Sequence, residues 1–364
     1  MKISLLHYWL TNMRGGENVL DQLCHIWPDA DIFTHACNPD ILPETIRSHN
    51  LKTTFIDKLP GAKNNCQKYL PMMPSALKKL DLGDYDLIIS SESGPIKGIR
   101  KPQTATHICY CHTPMRYLWD MYEEYFRNTS ITGKAAMMLF KNYLRKYDLA
   151  SADSVDHFIA NSNFVAERIK RIYGRDSTVI YPPVNSDFFS EGDYEKNDYY
   201  LFVGQLIPYK QPKLAIDACR RLDRRLIVVG DGTQRRELET VAGARITFAG
   251  RASGEKLRGL YAGARALLFP GVEDFGIVPL EAQAAGTPVI ALRAGGAKET
   301  VIDGSTGLFF DTPDVDALSA AIEEFEKIES SFLPDVMIKH ATSFSEARFR
   351  AEIRQFVEAK ISGH

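Results

Sequence analysis

The chain has 364 residues, 45% of them apolar and 25% charged, with a formal net charge of −2, which is long for a single core and points to two domains. A balance this close to neutrality excludes the strongly basic domain of a nucleic-acid binder, and no apolar stretch approaches the roughly 20 residues that span a bilayer. Six cysteines (Cys24, Cys37, Cys66, Cys109, Cys111 and Cys219) include no Cys-x-x-Cys pair, which argues against zinc. With no secretory signal, they fit free thiols in a reducing cytoplasm.

Ile3–His7 reads as a first strand, followed by the Gly-rich turn Gly15-Gly16-Glu17 and a helix from Glu17 to Ile26. Short apolar runs follow at Ala30–Thr34, Leu87–Ser90, Thr106–Tyr110, Phe158–Asn161 and Thr178–Tyr181, with helical patterns between several of them. This alternation specifies an α/β fold with a parallel sheet. Within Ile108-Cys109-Tyr110-Cys111, strand alternation turns both thiols to one buried face. Pro182-Pro183-Val184-Asn185 closes the first half, and the polar stretch Ser190–Asp198 reads as a linker. A second series then supplies strands at Tyr200–Gly204, Arg225–Val229, Ile246–Ala249, Ala266–Phe269, Pro288–Ala291 and Gly307–Phe310. Its helices are expected at Pro212–Arg221, Thr233–Val241, Glu255–Gly263, Pro279–Ala285 and Val315–Ile328. The expected organisation is a Rossmann-like domain over residues 1–185, a linker over 186–198 and a second Rossmann-like domain over 199–344. A helix over 345–364 is expected to return to the first domain.

Chemistry concentrates where strands end. Gly15 and Gly16 let the backbone approach a phosphate or sugar at a helix N-terminus, or serve only the strand-to-helix turn. Cys111-His112-Thr113-Pro114-Met115-Arg116-Tyr117-Leu118-Trp119-Asp120 places His112 at a strand's carboxyl edge, where open α/β sheets bind ligands. Tyr117 and Trp119 are candidates for an acceptor cleft and equally for core packing. Gly230-Asp231-Gly232 and Gly250-Arg251-Ala252 end two later strands, although a Gly-x-Gly alone is weak evidence for a nucleotide. Arg251 fits a base, a phosphate or an exposed loop. Glu273 and Glu281, with seven residues between them, put one carboxylate in a loop and one on the helix that follows. Such a pair grips a polyhydroxylated ligand at two points, with the free N–H groups of a helix N-terminus between them. Asp84-Tyr85-Asp86 has the spacing of a cation-binding Asp-x-Asp but directly precedes a strand, where acids mark turns, so no metal site is expected.

In this order, and over almost the whole chain, these elements resemble the retaining nucleotide-sugar glycosyltransferases of family 4, which have the GT-B fold. The stretch from His112 to Trp119 is similar to the His-Thr-Pro-Met-Arg-Tyr-Leu-Trp signature of bacterial O-antigen and exopolysaccharide enzymes. The stretch from Glu273 to Glu281 resembles the family's Glu-x7-Glu element. The resemblance implies two Rossmann-like domains facing each other across a cleft, the first binding the acceptor and the second the donor. It assigns catalysis to His112, Lys210 and Glu273, with Glu273 on the sugar hydroxyls and Glu281 on the ribose. Phe275, Gly276, Ile277 and Val278 would then line the donor site with Gly15, Gly16, Gly230, Asp231 and Arg251. Arg116, Tyr117 and Trp119 would meet the acceptor.

Phe202-Val203-Gly204-Gln205-Leu206-Ile207-Pro208-Tyr209-Lys210 resembles the family's diphosphate loop, but Gln205 stands where the family carries Arg. Charge-assisted hydrogen bonds contribute about 1.5–3 kcal/mol against about 0.5–1.5 for neutral ones, so Gln205 is a loss unless Arg14, Lys213 or Arg251 compensates. The implied activity needs no metal or cofactor and retains anomeric configuration. GDP-mannose is the leading donor, with UDP-hexoses and GDP-linked deoxy or amino sugars as alternatives. The implied acceptor is a glycan or a polyprenyl-diphosphate-linked sugar. Rival readings are a sugar phosphorylase and a nucleotide-sugar-binding partner with weakened activity, the latter resting on Gln205. Ile131–Tyr147 mixes apolar residues with Lys134, Lys141, Arg145 and Lys146. It is expected either to rest on the anionic inner face of the cytoplasmic membrane or to pack as an amphipathic helix.

Overall fold

Parallel strands covered on both faces read as unbroken apolar runs, and two such sheets organise this chain. The computed structural model describes residues 1–192 and 195–361. Seven parallel strands form the first sheet: β1 (Ile3–His7), β2 (Asp31–Thr34), β3 (Leu51–Thr53), β4 (Leu87–Glu92), β5 (Thr106–Cys111), β6 (His157–Ala160) and β7 (Ser177–Val179). Their order is β3-β2-β1-β4-β5-β6-β7. The second sheet has six: β8 (Tyr200–Val203), β9 (Leu226–Val229), β10 (Ile246–Gly250), β11 (Leu267–Phe269), β12 (Val289–Leu292) and β13 (Gly307–Phe310). Their order is β10-β9-β8-β11-β12-β13. In each sheet the winding direction reverses once, between β1 and β4 and between β8 and β11. Ligands of open α/β sheets bind at such reversals, beyond the carboxyl ends of the strands.

The chain divides into one unit of Met1–Pro182 plus the residues from Phe349 onward, and a second unit of Pro183–Arg348. Phe349, Ile353 and Val357 recur every four residues on the helix Glu346–Ile361 and bury one stripe in the first unit's core. They join Leu5, Leu20, Leu23, Ile108 and Tyr110 there, with the Tyr110 and Phe349 ring centroids 5.7 Å apart. Cys109 and Cys111 share a buried face and, like the other four cysteines, are free.

The stretch expected to be a linker is partly structured. Ser186–Ser190 is a helix capped by Asn185, whose Oδ1 accepts the Phe188 N–H at 3.2 Å. An aromatic side chain, Phe189, anchors it in the second unit's core beside Tyr199 and Tyr261. Further on, the Lys196 ammonium donates to Ala264 O, Gly286 O and Thr287 Oγ1 at 3.0, 3.1 and 2.6 Å. Burial lowers its pKa to about 8. The way in and the way out of the second unit meet where the Val184 N–H donates to Phe344 O at 2.9 Å.

Helix boundaries follow local chemistry. Ser162 Oγ accepts the Val165 N–H at 3.1 Å at the start of Asn163–Tyr173, and Gly174 at φ 68° ends that helix. Ser162→Ala should therefore cost about 1 kcal/mol of stability, read as a lower urea midpoint; an unchanged midpoint would remove the cap from the account. Asp84 and Asp86 both engage Lys2, through its ammonium at 3.7 Å and its backbone N–H at 2.7 Å, and so hold a turn before β4. Ile131–Asp153 is one long helix that leaves Ile131, Met138 and Leu139 more than half exposed. Among the described residues no helix is long and apolar enough to cross a membrane.

Candidate functional site

At the reversal of the second sheet, the loop after β8 and the loop after β11 meet. Lys210 Nζ donates to Glu273 Oε1 at 2.7 Å, with both side chains largely but not fully shielded. Glycines make the approach feasible. A Cβ at Gly271 would lie 2.7 Å from Lys210 Cα, and one at Gly204 would lie 3.2 Å from Lys210 Cδ. The loop after β12 closes on the other side, where the Gly296 N–H donates to Glu273 O at 2.9 Å. A Cβ at Gly296 would fall 2.2 Å from Phe275 O. Gly276, at φ 99°, turns this loop into the helix Ile277–Ala284. The helix thus begins two residues before the expected Pro279, because a left-handed glycine and not the proline sets its first turn. The N–H groups of Ile277 and Val278 lie in that first turn, whose intrahelical acceptors are missing.

Glu281 stands one turn further along this helix. Tyr261 OH donates to its Oε2 at 2.8 Å. Burial raises the Glu281 pKa against the lowering effects of that bond and of the Lys210 charge. Glu273 and Glu281 thus reach the same region, one paired with a cation and one with a phenol. Phe275 takes another role from its neighbours: its side chain is buried 5.8 Å from Phe344, so only its backbone belongs to the loop.

The loops at the ends of β8, β9 and β10 lie side by side. Gly230 N–H donates to Gly250 O at 2.8 Å, and Leu206 N–H to Asp231 O at 3.1 Å. Asp231 Oδ1 accepts the Gly232 N–H at 2.8 Å. Gln205 is half-buried in the loop after β8, while Arg251 and Asp231 are exposed.

The first unit gathers a separate cluster at its own reversal. Gly15 and Gly16 open the helix Gly15–Ile26, and the Arg14 N–H donates to Glu17 Oε2 at 2.9 Å. Glu17 Oε1 lies 3.7 Å from His7 Nε2, both side chains being buried. A Cβ at Gly16 would meet Tyr8 OH at 2.8 Å, His112 Nε2 at 3.4 Å and His7 Cε1 at 3.6 Å. His112, one residue past β5, donates its backbone N–H to Glu92 O at 2.8 Å, and its Nε2 pairs with Ser91 Oγ at 2.9 Å. Burial, and then the nearby His7, push its pKa down to about 3. Arg116 and Tyr117 are half-buried; Tyr117 OH lies 2.9 Å from Met115 Sδ, and Arg116 Nη1 lies 4.0 Å from Met121 Sδ. The Trp119 indole N–H donates to the buried Asp148 at 2.7 Å.

Sequence reasoning did not single out Ser91, Tyr261, His7 or the pair Gly295-Gly296. Only the last had a local signal, a double glycine after a strand like Gly15-Gly16.

Two doubly wound parallel units, each with its polar cluster at the sheet reversal, define a GT-B-type pair of Rossmann-like halves. The Glycosyltransferase Family 4 model matches residues 13–188, and the model for Glycosyl transferases group 1 matches 184–344. The chain is therefore built from these two glycosyltransferase domains. A D-inositol 3-phosphate glycosyltransferase of Mycobacterium sp. (strain JLS) is 30% identical over 218 residues, covering 53% of this chain and 50% of that one. The chain thus spans about half the length of this curated relative. Sucrose-phosphate synthase from Thermosynechococcus elongatus has the same fold, with a TM-score of 0.76 at 18% identity over 100% of both chains. Anabaena HepE, solved in complex with UDP-glucose, gives a TM-score of 0.73 at 19% identity, covering 99% of this chain and 100% of that one.

Proposed function

We propose that the protein is a retaining glycosyltransferase that moves a sugar from a nucleotide diphosphate to a lipid-linked or oligosaccharide acceptor in bacterial surface polysaccharide synthesis. The observation that carries this reading is the Lys210–Glu273 contact of 2.7 Å beside the N-terminus of Ile277–Ala284. A diphosphate entering there would take over Lys210 and free Glu273 for the sugar hydroxyls, with Glu281 on the ribose. Lys210 and the helix N-terminus would do the electrostatic work that a divalent ion does elsewhere, so transfer should proceed in EDTA. The bond from the anomeric carbon to the diphosphate oxygen breaks as the acceptor oxygen bonds to the same face. The acceptor proton passes to the leaving diphosphate.

Mannose from GDP-mannose is the proposed donor, on the His112–Trp119 resemblance; UDP-glucose is the competitor, being what Anabaena HepE was solved with. Calorimetry with UDP, GDP and their sugar conjugates in EDTA decides between them, and binding of none would remove the donor site. His112, with its pKa near 3, should stay neutral, so the rate should not follow its protonation above about pH 5. An acid limb centred near its ordinary pKa of about 6.5, lost in His112→Asn, would contradict that.

A membrane-held acceptor suits the exposed Ile131, Met138 and Leu139, whose helix carries Lys134, Lys141, Arg145 and Lys146. Sedimentation with anionic vesicles tests this contact, and a chain that stays in the supernatant would remove it.

A further inference from the structure

Lys97 is fully buried between two carboxylates, and nothing in the proposed reaction uses it. Its Nζ lies 2.5 Å from Asp148 Oδ1 and 3.0 Å from Glu92 Oε1, while its backbone N–H donates to Glu92 Oε2 at 3.0 Å. None of the three side chains is more than 2% exposed. Buried ion clusters of this kind rarely stabilise a fold more than apolar residues of the same volume, yet losing one partner is costly. Stability alone therefore does not account for the triad.

What it connects is specific. Glu92 ends β4, and its carbonyl holds the His112 N–H while the adjacent Ser91 hydroxyl meets the His112 ring. Asp148, on the helix Ile131–Asp153, accepts the Trp119 indole N–H at 2.7 Å and the Tyr173 hydroxyl at 3.0 Å. The two ends of the His112–Trp119 segment are thus each tied to one of the carboxylates or its residue, and Lys97 ties the carboxylates together. Side bonds clamp the middle. Arg168 Nη1 donates to Thr113 Oγ1 at 3.1 Å, and Arg145 Nε to Leu118 O at 2.7 Å. Arg145 also lies over the Trp119 ring, its guanidinium carbon 4.9 Å from the centroid.

We propose that Lys97 is a positioning residue for the transfer reaction: with Glu92 and Asp148 it holds the His112–Trp119 segment at both ends and so fixes the direction of the His112 ring. The proposal rests on the transferase reading. Trp119 then acts first through its bond to Asp148, which sets the shape of the segment.

Two variants test it. Trp119→Phe removes one donor and leaves the ion triad whole. Lys97→Met alone would bury two carboxylates without a cation and could unfold the chain, so it is combined with Asp148→Asn, which keeps the triad's excess of one carboxylate. Three quantities are read: the His112 ring signal in proton–carbon spectra, the affinity for UDP and GDP, and nucleotide release from UDP-glucose or GDP-mannose. Both variants are expected to keep nucleotide affinity and donor KM, to shift the His112 signal and to lose about 10²-fold in kcat, as for a misplacement of about an ångström. Folded variants with an unmoved His112 signal and unchanged kcat would overturn the proposal. A wild-type protein that releases no nucleotide would instead overturn the transferase reading, and the His112 signal would then decide the positioning by itself.

Discussion

Lys210→Ala is expected to lower turnover of the nucleotide sugar by about 10²–10³-fold and to weaken nucleotide binding by about ten- to a hundred-fold. Two effects combine. The diphosphate would lose its charged donor, and Glu273 would keep its carboxylate in a largely shielded place with its 2.7 Å partner gone. Because Gln205 supplies no charge next to Gly204, Lys210 would carry more of a bound diphosphate's neutralisation here than a loop with two cations would ask of it. Glu273→Gln separates the effects: it releases Lys210, so nucleotide affinity should hold or rise while turnover falls. Calorimetry and a nucleotide-release assay on both variants give the answer. Wild-type affinity in Lys210→Ala would move the diphosphate away from this loop.

Gly230→Ala should be among the most damaging single substitutions in the second unit, at about 3–5 kcal/mol. Gly230 has φ 134°, and a Cβ there would sit 1.8 Å from the carbonyl oxygen of Gly204. Neither backbone can retreat without pulling apart the bonds that align the loops after β8, β9 and β10. Gly61→Ala is the control: φ is 69° but nothing lies within 4 Å of the added methyl, so only the left-handed strain of about 1–2 kcal/mol remains. Urea unfolding of both proteins measures the difference, and Gly230→Ala should also lose nucleotide affinity because Lys210 lies across Gly204. Equal midpoints for the two variants would show that the loops yield more easily than their geometry implies.

Why some of this was legible in the sequence and some was not follows from distance along the chain. The long apolar strands β4 and β5 and the glycines that end β9 and β10 are local signals, since a buried parallel strand needs a run of apolar residues and a tight turn needs a glycine. β3 was missed: it is three residues long at a sheet edge and its side chains are not buried. The start of Ile277–Ala284 was misplaced because Pro279 is the usual mark of a helix start, while the deciding property, the positive φ of Gly276, belongs to the folded backbone. His112 stood out at the end of a strand, and Glu273 and Glu281 through their spacing over a loop and the helix that follows it. Lys210, the partner of Glu273, also stood out, through its own loop after β8. Tyr261, Ser91 and the Lys97–Asp148 pair did not, because Tyr261 is 20 residues from Glu281, Ser91 is 21 from His112 and Lys97 is 51 from Asp148. Pairings of that kind are made by the sheet order.

The return of Phe349, Ile353 and Val357 to the first unit's core has a consequence for synthesis on the ribosome. Pro183–Arg348 is one uninterrupted stretch, so the second unit needs no residue from beyond it to complete its core. The first unit, although translated first, lacks one wall of its core until the helix Glu346–Ile361 is free to pack. A released chain truncated before Phe349 should therefore leave its N-terminal half open to protease while the half made after it resists.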